Sequence, residues 1–154
     1  MSEIKSHLLN AAAGTIRTVT LPANDQLKHV YELIGCSTVD VVRIDDSHVV
    51  YVDENGLVDG LSCVTDLKGH PSPLAGNLLI VGDHENGETT SVSASIEDVA
   101  AWFTIVRPVF VPVFETLSGP DIFGTRVIRL DVRIERSTPN IIDQPPDDHS
   151  GSPL

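Results

Sequence analysis

From Ile128 to Glu135 apolar and charged residues alternate one for one: Ile128, Leu130, Val132 and Ile134 interleave with Arg129, Asp131, Arg133 and Glu135. Side chains of a β-strand point to opposite faces with a period of two, so this order rules out a helix and predicts a half-buried strand over Thr125–Glu135. One side of it is apolar and the other charged. A strand needs neighbours, and the preceding stretch Val106–Phe114 (VRPVFVPVF) is very apolar but carries Pro108 and Pro112. Proline is barred from helix interiors and central strands, so this stretch is expected either as an extended edge or as a patch that packs on another subunit.

Upstream, the chain divides at its turn residues. Met1–Asn10 shows no firm period and is expected to be a frayed arm or an oligomer contact. Thr15–Leu21 is rich in β-branched residues and stops at Pro22, which predicts a strand. Asn24 or Asp25 caps a helix to Ile34, with Leu27, Val30, Tyr31 and Ile34 as its apolar face and Gly35 as its stop. Val39–Ile44 and His48–Val52 form a hairpin across Asp45-Asp46-Ser47, and Asp53-Glu54-Asn55-Gly56 turns into a short strand, Leu57–Leu61. Thr65–Gly76, with two glycines and two prolines, reads as a loop, whereas Asn77–Val81 is wholly apolar and predicts a central strand that Gly82 closes. Thr89–Ala94 is expected at an edge. Ser95 with Asp98 makes a weak capping box for a helix over Ile96–Thr104.

The sum is an α+β fold, a mostly antiparallel sheet of about six strands with two short helices packed on it. At 154 residues one domain suffices, drawn at 1–136. Residues 137–154, rich in Pro, Asp, Ser and Gly, are expected to form a flexible tail. No apolar run reaches bilayer length and no signal-peptide pattern opens the chain, so the expected location is the cytoplasm.

The net charge is −12, and its placement is uneven. Ser37–Asp98 holds twelve acids against Arg43 and Lys68, whereas Arg107–Arg136 holds five arginines and four acids. So acidic a chain is not expected to bind nucleic acid directly through a broad surface. Two candidate surfaces follow. Asp45, Asp46, Asp53, Glu54 and Asp59 would form an acidic surface for a basic partner. Arg107, Arg126, Arg129 and Arg133 could grip an anionic ligand, unless Asp131 and Glu135 on the same face neutralise them.

Signs of chemistry are few. Cys36 and Cys63 lack zinc or disulfide-scaffold spacing, and the six histidines make no HxH or HExxH pair. Asp53, Asn55 and Asp59 fall short of a calcium loop, and Asp83-His84-Glu85 reads first as a solvated turn. With no phosphate loop and no nucleophile elbow, an enzyme is disfavoured and no metal or cofactor is expected.

The helix ending in Ile34-Gly35, the two strands before Asp53-Glu54-Asn55-Gly56, and the strand Gly76-Asn77-Leu78-Leu79-Ile80-Val81-Gly82 together resemble a small domain of unknown function found in bacterial, plasmid and phage genomes. The resemblance covers about residues 15–84. Cys36 stands where that family has a second glycine, and Leu61-Ser62-Cys63-Val64-Thr65 replaces its Leu-Pro-x-Asn-Arg. The family lends no activity. It implies an accessory protein of a phage or other mobile element. The expected function is therefore a non-enzymatic interaction protein, an accessory or anti-defence factor whose acidic surface engages a host or defence protein. The alternative is a sponge for a nucleotide signal, built from the arginines and main-chain amides near Gly82 at a subunit contact through Val109–Phe114.

Overall fold

The computed structural model describes residues 3–22, 24–55, 63–84, 88–121 and 123–143. Among them lie ten strands and two helices, arranged in two sheets rather than the single sheet expected. The strand expected at Leu57–Leu61, with Asp59, lies outside the described residues, as do Glu85 and 144–154.

The larger sheet has the order β10-β2-β1-β6-β4-β3, with β7 alongside the end of β6. Its strands are β1 (Ile4–Asn10), β2 (Thr15–Leu21), β3 (Val39–Asp45), β4 (His48–Asp53), β6 (Leu78–Asp83), β7 (Thr89–Thr90) and β10 (Asn140–Ile141). β6 sits centrally, as its unbroken apolar run predicts, and Leu78, Leu79, Ile80 and Val81 are fully buried. β1 beside it corrects the expectation of a frayed arm. Ser6, His7, Leu8 and Leu9 are all buried, so both faces of the strand are covered and no alternation survives in its sequence. The expected tail is likewise anchored at its start, where β10 pairs parallel with β2 and the Asn140 amide donates to the Gly14 carbonyl.

Each face of this sheet has its own core. Helix α1 (Gln26–Ile34) covers one face, with Val30 and Ile34 packed among Leu8, Val19, Leu21, Val49, Leu79 and Val81. Gly35 stops the helix at φ 84°, as its position predicts, but Asp25 enters in the left-handed region with no side-chain cap and Leu27 is exposed. On the other face lie α2 (Ile96–Ala101) and the base of a second sheet, where Val99, Phe103, Ile105 and Leu67 meet Leu9, Ile16, Val50 and Ile80. Ser95 caps α2 by accepting the Asp98 amide at 3.1 Å. The helix ends at Ala101, earlier than expected, because Phe103 already belongs to a strand.

The second sheet has the order β5-β8-β9, from β5 (Val64–Leu67), β8 (Phe103–Ser118) and β9 (Phe123–Ser137). β5 corrects the start of the expected loop and pairs with only the first four residues of β8. Past Arg107, β8 and β9 continue as a two-stranded ribbon, on the order of 40 Å long at the usual rise per residue. All fifteen residues of β9 are exposed, so the half-buried strand expected here is exposed on both sides.

Candidate interaction surfaces

Two turns of the hairpin chain separate the expected acidic surface into parts. Asp45 and Asp46 lie at the β3–β4 turn, whereas Asp53 and Glu54 lie at the hairpin's other end, where Val39 faces Asp53. Asp53 accepts the Asn55 amide at 2.9 Å, which is the turn chemistry that the calcium reading competed with. At the first end Asp83 joins the group and takes an ion pair from Arg43. Among the described residues no three His, Cys, Asp or Glu side chains converge as metal ligands.

The turn at Asp45 carries a relay absent from the expectations. His48 is buried, and its Nδ1 donates to Asp45 Oδ1 at 3.0 Å. Its Nε2 accepts from the Ser93 amide at 3.3 Å and lies 3.2 Å from the Ser93 hydroxyl. An amide can only donate, so Nε2 holds the lone pair and Nδ1 the proton. Burial pushes the Asp45 carboxyl up, but the Ser47 amide and the His48 ring outweigh it and hold the group below the usual carboxylate range. The order Asp–His–Ser invites comparison with a nucleophile relay. Here the Ser93 amide shares Nε2 with the hydroxyl, and the Asp45 side chain is 48% exposed, so the arrangement clamps the loop before α2 onto the hairpin. Trp102 closes it edge-on, ring centres 5.3 Å apart. The three-residue spacing of Asp45 and His48 was the available signal; Ser93 offered none.

An open cleft of about 440 Å³ separates the end of α1 from the end of β4, lined by Tyr31, Glu32, Gly35, Cys36, Ser37, Asp53 and Asn55. Burial and the Asp53 charge push the Cys36 thiol above its usual value, opposite to what a nucleophilic thiolate requires.

The four arginines expected to grip an anion lie on one face of the β8–β9 pair, since Arg107 faces Glu135, Val109 faces Arg133, Val113 faces Arg129 and Glu115 faces Arg126. Each already holds an acceptor. Arg126 reaches Glu115 at 2.7 Å, Arg129 reaches Asp131 at 3.0 Å, Arg133 reaches Glu135 at 2.7 Å, and Arg107 donates to the Ala11 carbonyl at 2.9 Å. The amides after Gly82 are engaged as well, that of Asp83 with the Ser47 carbonyl and that of His84 with the Glu88 carbonyl. The two halves of the expected anion site are thus separately satisfied.

The opposite face of the ribbon is apolar. Pro108 faces Ile134, Phe110 faces Val132, Pro112 faces Leu130, and past a bulge at Ile128, Phe114 faces Val127. Phe110 is 62% exposed, Leu130 59% and Val132 55%. A two-stranded ribbon is at best marginally stable alone, and a contiguous exposed apolar face marks a contact surface.

Comparison with known proteins divides the chain at the same place. Residues 4–104 match DUF3846, a domain of unknown function, from the start of β1 to the first residues of β8. The match is wider than the 15–84 expected and includes α2. Uncharacterized protein y4iR of Sinorhizobium fredii (strain NBRC 101917 / NGR234) is 33% identical over 142 residues, 90% of this chain and 88% of its own. A match that takes in 90% of the chain cannot stop short of the ribbon. Protein PsiB of Rhizobium leguminosarum bv. phaseoli is 31% identical over 132 residues, 83% of this chain and 98% of its own. No solved structure matches. The chain belongs to the DUF3846 family, with the β8–β9 ribbon rising where the family domain ends.

Proposed function

We propose that this chain is a non-enzymatic interaction protein whose working surface is the apolar face of the β8–β9 arm, with the family domain as its scaffold. One observation carries the reading: a fifteen-residue strand exposed throughout, with Leu130, Val132 and Ile134 lined up beside Phe110 on a face that the body does not cover. Contiguous exposed apolar faces mark interaction sites, and this one supports a protein contact better than the divided acids of the hairpin do. The mobile-element setting implied by the family resemblance supports an accessory role. In that setting the chain works by occupying another protein.

The test places a photo-crosslinking residue at Phe110 or Leu130, and in parallel at Asp46 or Glu54, in cells expressing the protein. Adducts are expected from the arm positions. Adducts from the acidic positions alone would return the reading to the acidic surface. Salt separates the same two readings, since an apolar contact persists at high ionic strength and an acidic one weakens steeply.

A further inference from the structure

We propose that the arm pairs with a second copy of this chain, β9 against β9 antiparallel, about a two-fold axis through Val132. The proposal deepens the interaction reading above and rests on it. Its first support is the backbone. The β8–β9 ladder runs unbroken from Ile105↔Ser137 to Val113↔Arg129 although Pro108 and Pro112 lie within it. Proline has no N–H, so its pairs are those in which both residues turn their polar groups away from each other. Phe110↔Val132 falls between them with the same parity. Leu130, Val132 and Ile134 therefore turn their N–H and C=O groups to the outer edge of β9, where no strand pairs among the described residues. The two edges of the arm differ. The prolines strip donors from the outer edge of β8, whereas 123–137 contains no proline.

The second support is charge, which selects both partner and register. With the axis at Val132, Leu130 faces Ile134 of the second copy, Arg129 faces Glu135, and Asp131 faces Arg133. Symmetry repeats each charged contact, so all four are between opposite charges. Moving the axis to Asp131 sets Arg129 against Arg133 and Asp131 against itself. Moving it to Arg133 sets Asp131 against Glu135 and Arg133 against itself. Axes at Leu130 or Ile134 keep only part of the complementarity. The exposed pairs within each strand, Arg129–Asp131 and Arg133–Glu135, can exchange for these cross-strand pairs without leaving a charge unmatched.

The experiment is sedimentation velocity of the full chain over a hundredfold concentration range, with charge-reversed variants. Wild type is expected as a dimer. Arg129→Glu places two acidic pairs across the axis and Glu135→Arg two basic pairs, so each alone is expected to weaken the dimer by about a hundredfold or more, as facing like charges do. An equimolar mixture of the two is expected to form a heterodimer, because Glu at 129 then faces Arg at 135 and the native Glu135 faces the native Arg129. Two separately folded chains cannot rescue each other by an intrachain repair. A monomeric wild type overturns the proposal, and so does a wild-type dimer that neither reversal weakens. A monomer whose arm still crosslinks to another protein removes this pairing and keeps the interaction reading; a monomer whose arm gives no adduct removes both.

Discussion

Two residues in the large sheet are held under conditions that their neighbours impose. His7 lies in β1 with Nδ1 3.1 Å from the Thr18 hydroxyl and Nε2 without a hydrogen bond. Burial lowers its pKa from the ordinary 6.5, more than the nearby Ala94 carbonyl and Glu97 carboxylate raise it. The unfolded chain therefore takes up the proton at a higher pH than the folded one, so His7 leaves stability flat above about pH 6.5 and erodes it as the pH falls below that value. Urea midpoints from pH 8 to pH 5 should fall more steeply for wild type than for His7→Gln; equal slopes would place the loss elsewhere. Gly82 is fixed by space. A β-carbon there would lie 2.3 Å from the Ser91 carbonyl oxygen and 2.6 Å from Thr90 Oγ1, and the backbone at Ser91 must move to admit it. Gly82→Ala should cost about 1–3 kcal/mol, the usual range for overpacking, read as a lowered urea midpoint with an unchanged slope.

At the scale of the element, sequence and structure agree where one face of an element is wet. β2, α1 and the capped start of α2 fall close to where periodicity and turn residues place them, because alternation or a helical stripe records a buried side, whereas β4, buried on both faces, is placed by the polar turns that bound it. β1 was illegible for the opposite reason, since both of its faces are covered and Ser6 and His7 interrupt the apolar run. The arm was legible as strands and illegible as an arm. A period of two states which residues share a face and is silent on whether anything covers that face. The His48 relay was hidden for a related reason, since Ser93 reaches His48 only once α2 folds under the sheet. The prolines of β8 give this scale its prediction. Pro108→Val with Pro112→Val restores donors on the outer edge of β8, and with both edges open the chain should lengthen into soluble oligomers or aggregates, seen as rising light scattering at concentrations where wild type stays clear. Unchanged scattering would mean that something other than proline protects that edge.

The molecule as a whole is a three-layer body, α1 on one face of a seven-stranded sheet and α2 with the base of the second sheet on the other, from which one ribbon stands clear. No helix among the described residues is long and apolar enough to cross a membrane. On the proposed reading, folding and contact divide between separate parts of the chain. Along the chain the core under α1 ends at Val81 and the core on the α2 side at Ile105, and beyond Arg107 no residue of β8 or β9 is buried. The body should thus fold without the arm. Arg107↔Glu135 is a pair of the hydrogen-bonded kind, adjacent to the proline pair of the other kind, and such a pair is the natural base for a two-residue turn. Replacing 108–134 by Asn-Gly keeps the Arg107 contact with the Ala11 carbonyl and closes the hairpin at its root. The shortened chain should unfold in one cooperative transition with a Tm within about 5 °C of wild type, the shift that roughly 1 kcal/mol produces in a domain this size. It should also lose the arm crosslinks and self-association. A Tm lowered far beyond that, or loss of cooperativity, would make the ribbon part of the folding unit, and the division of labour between scaffold and arm would fall with it.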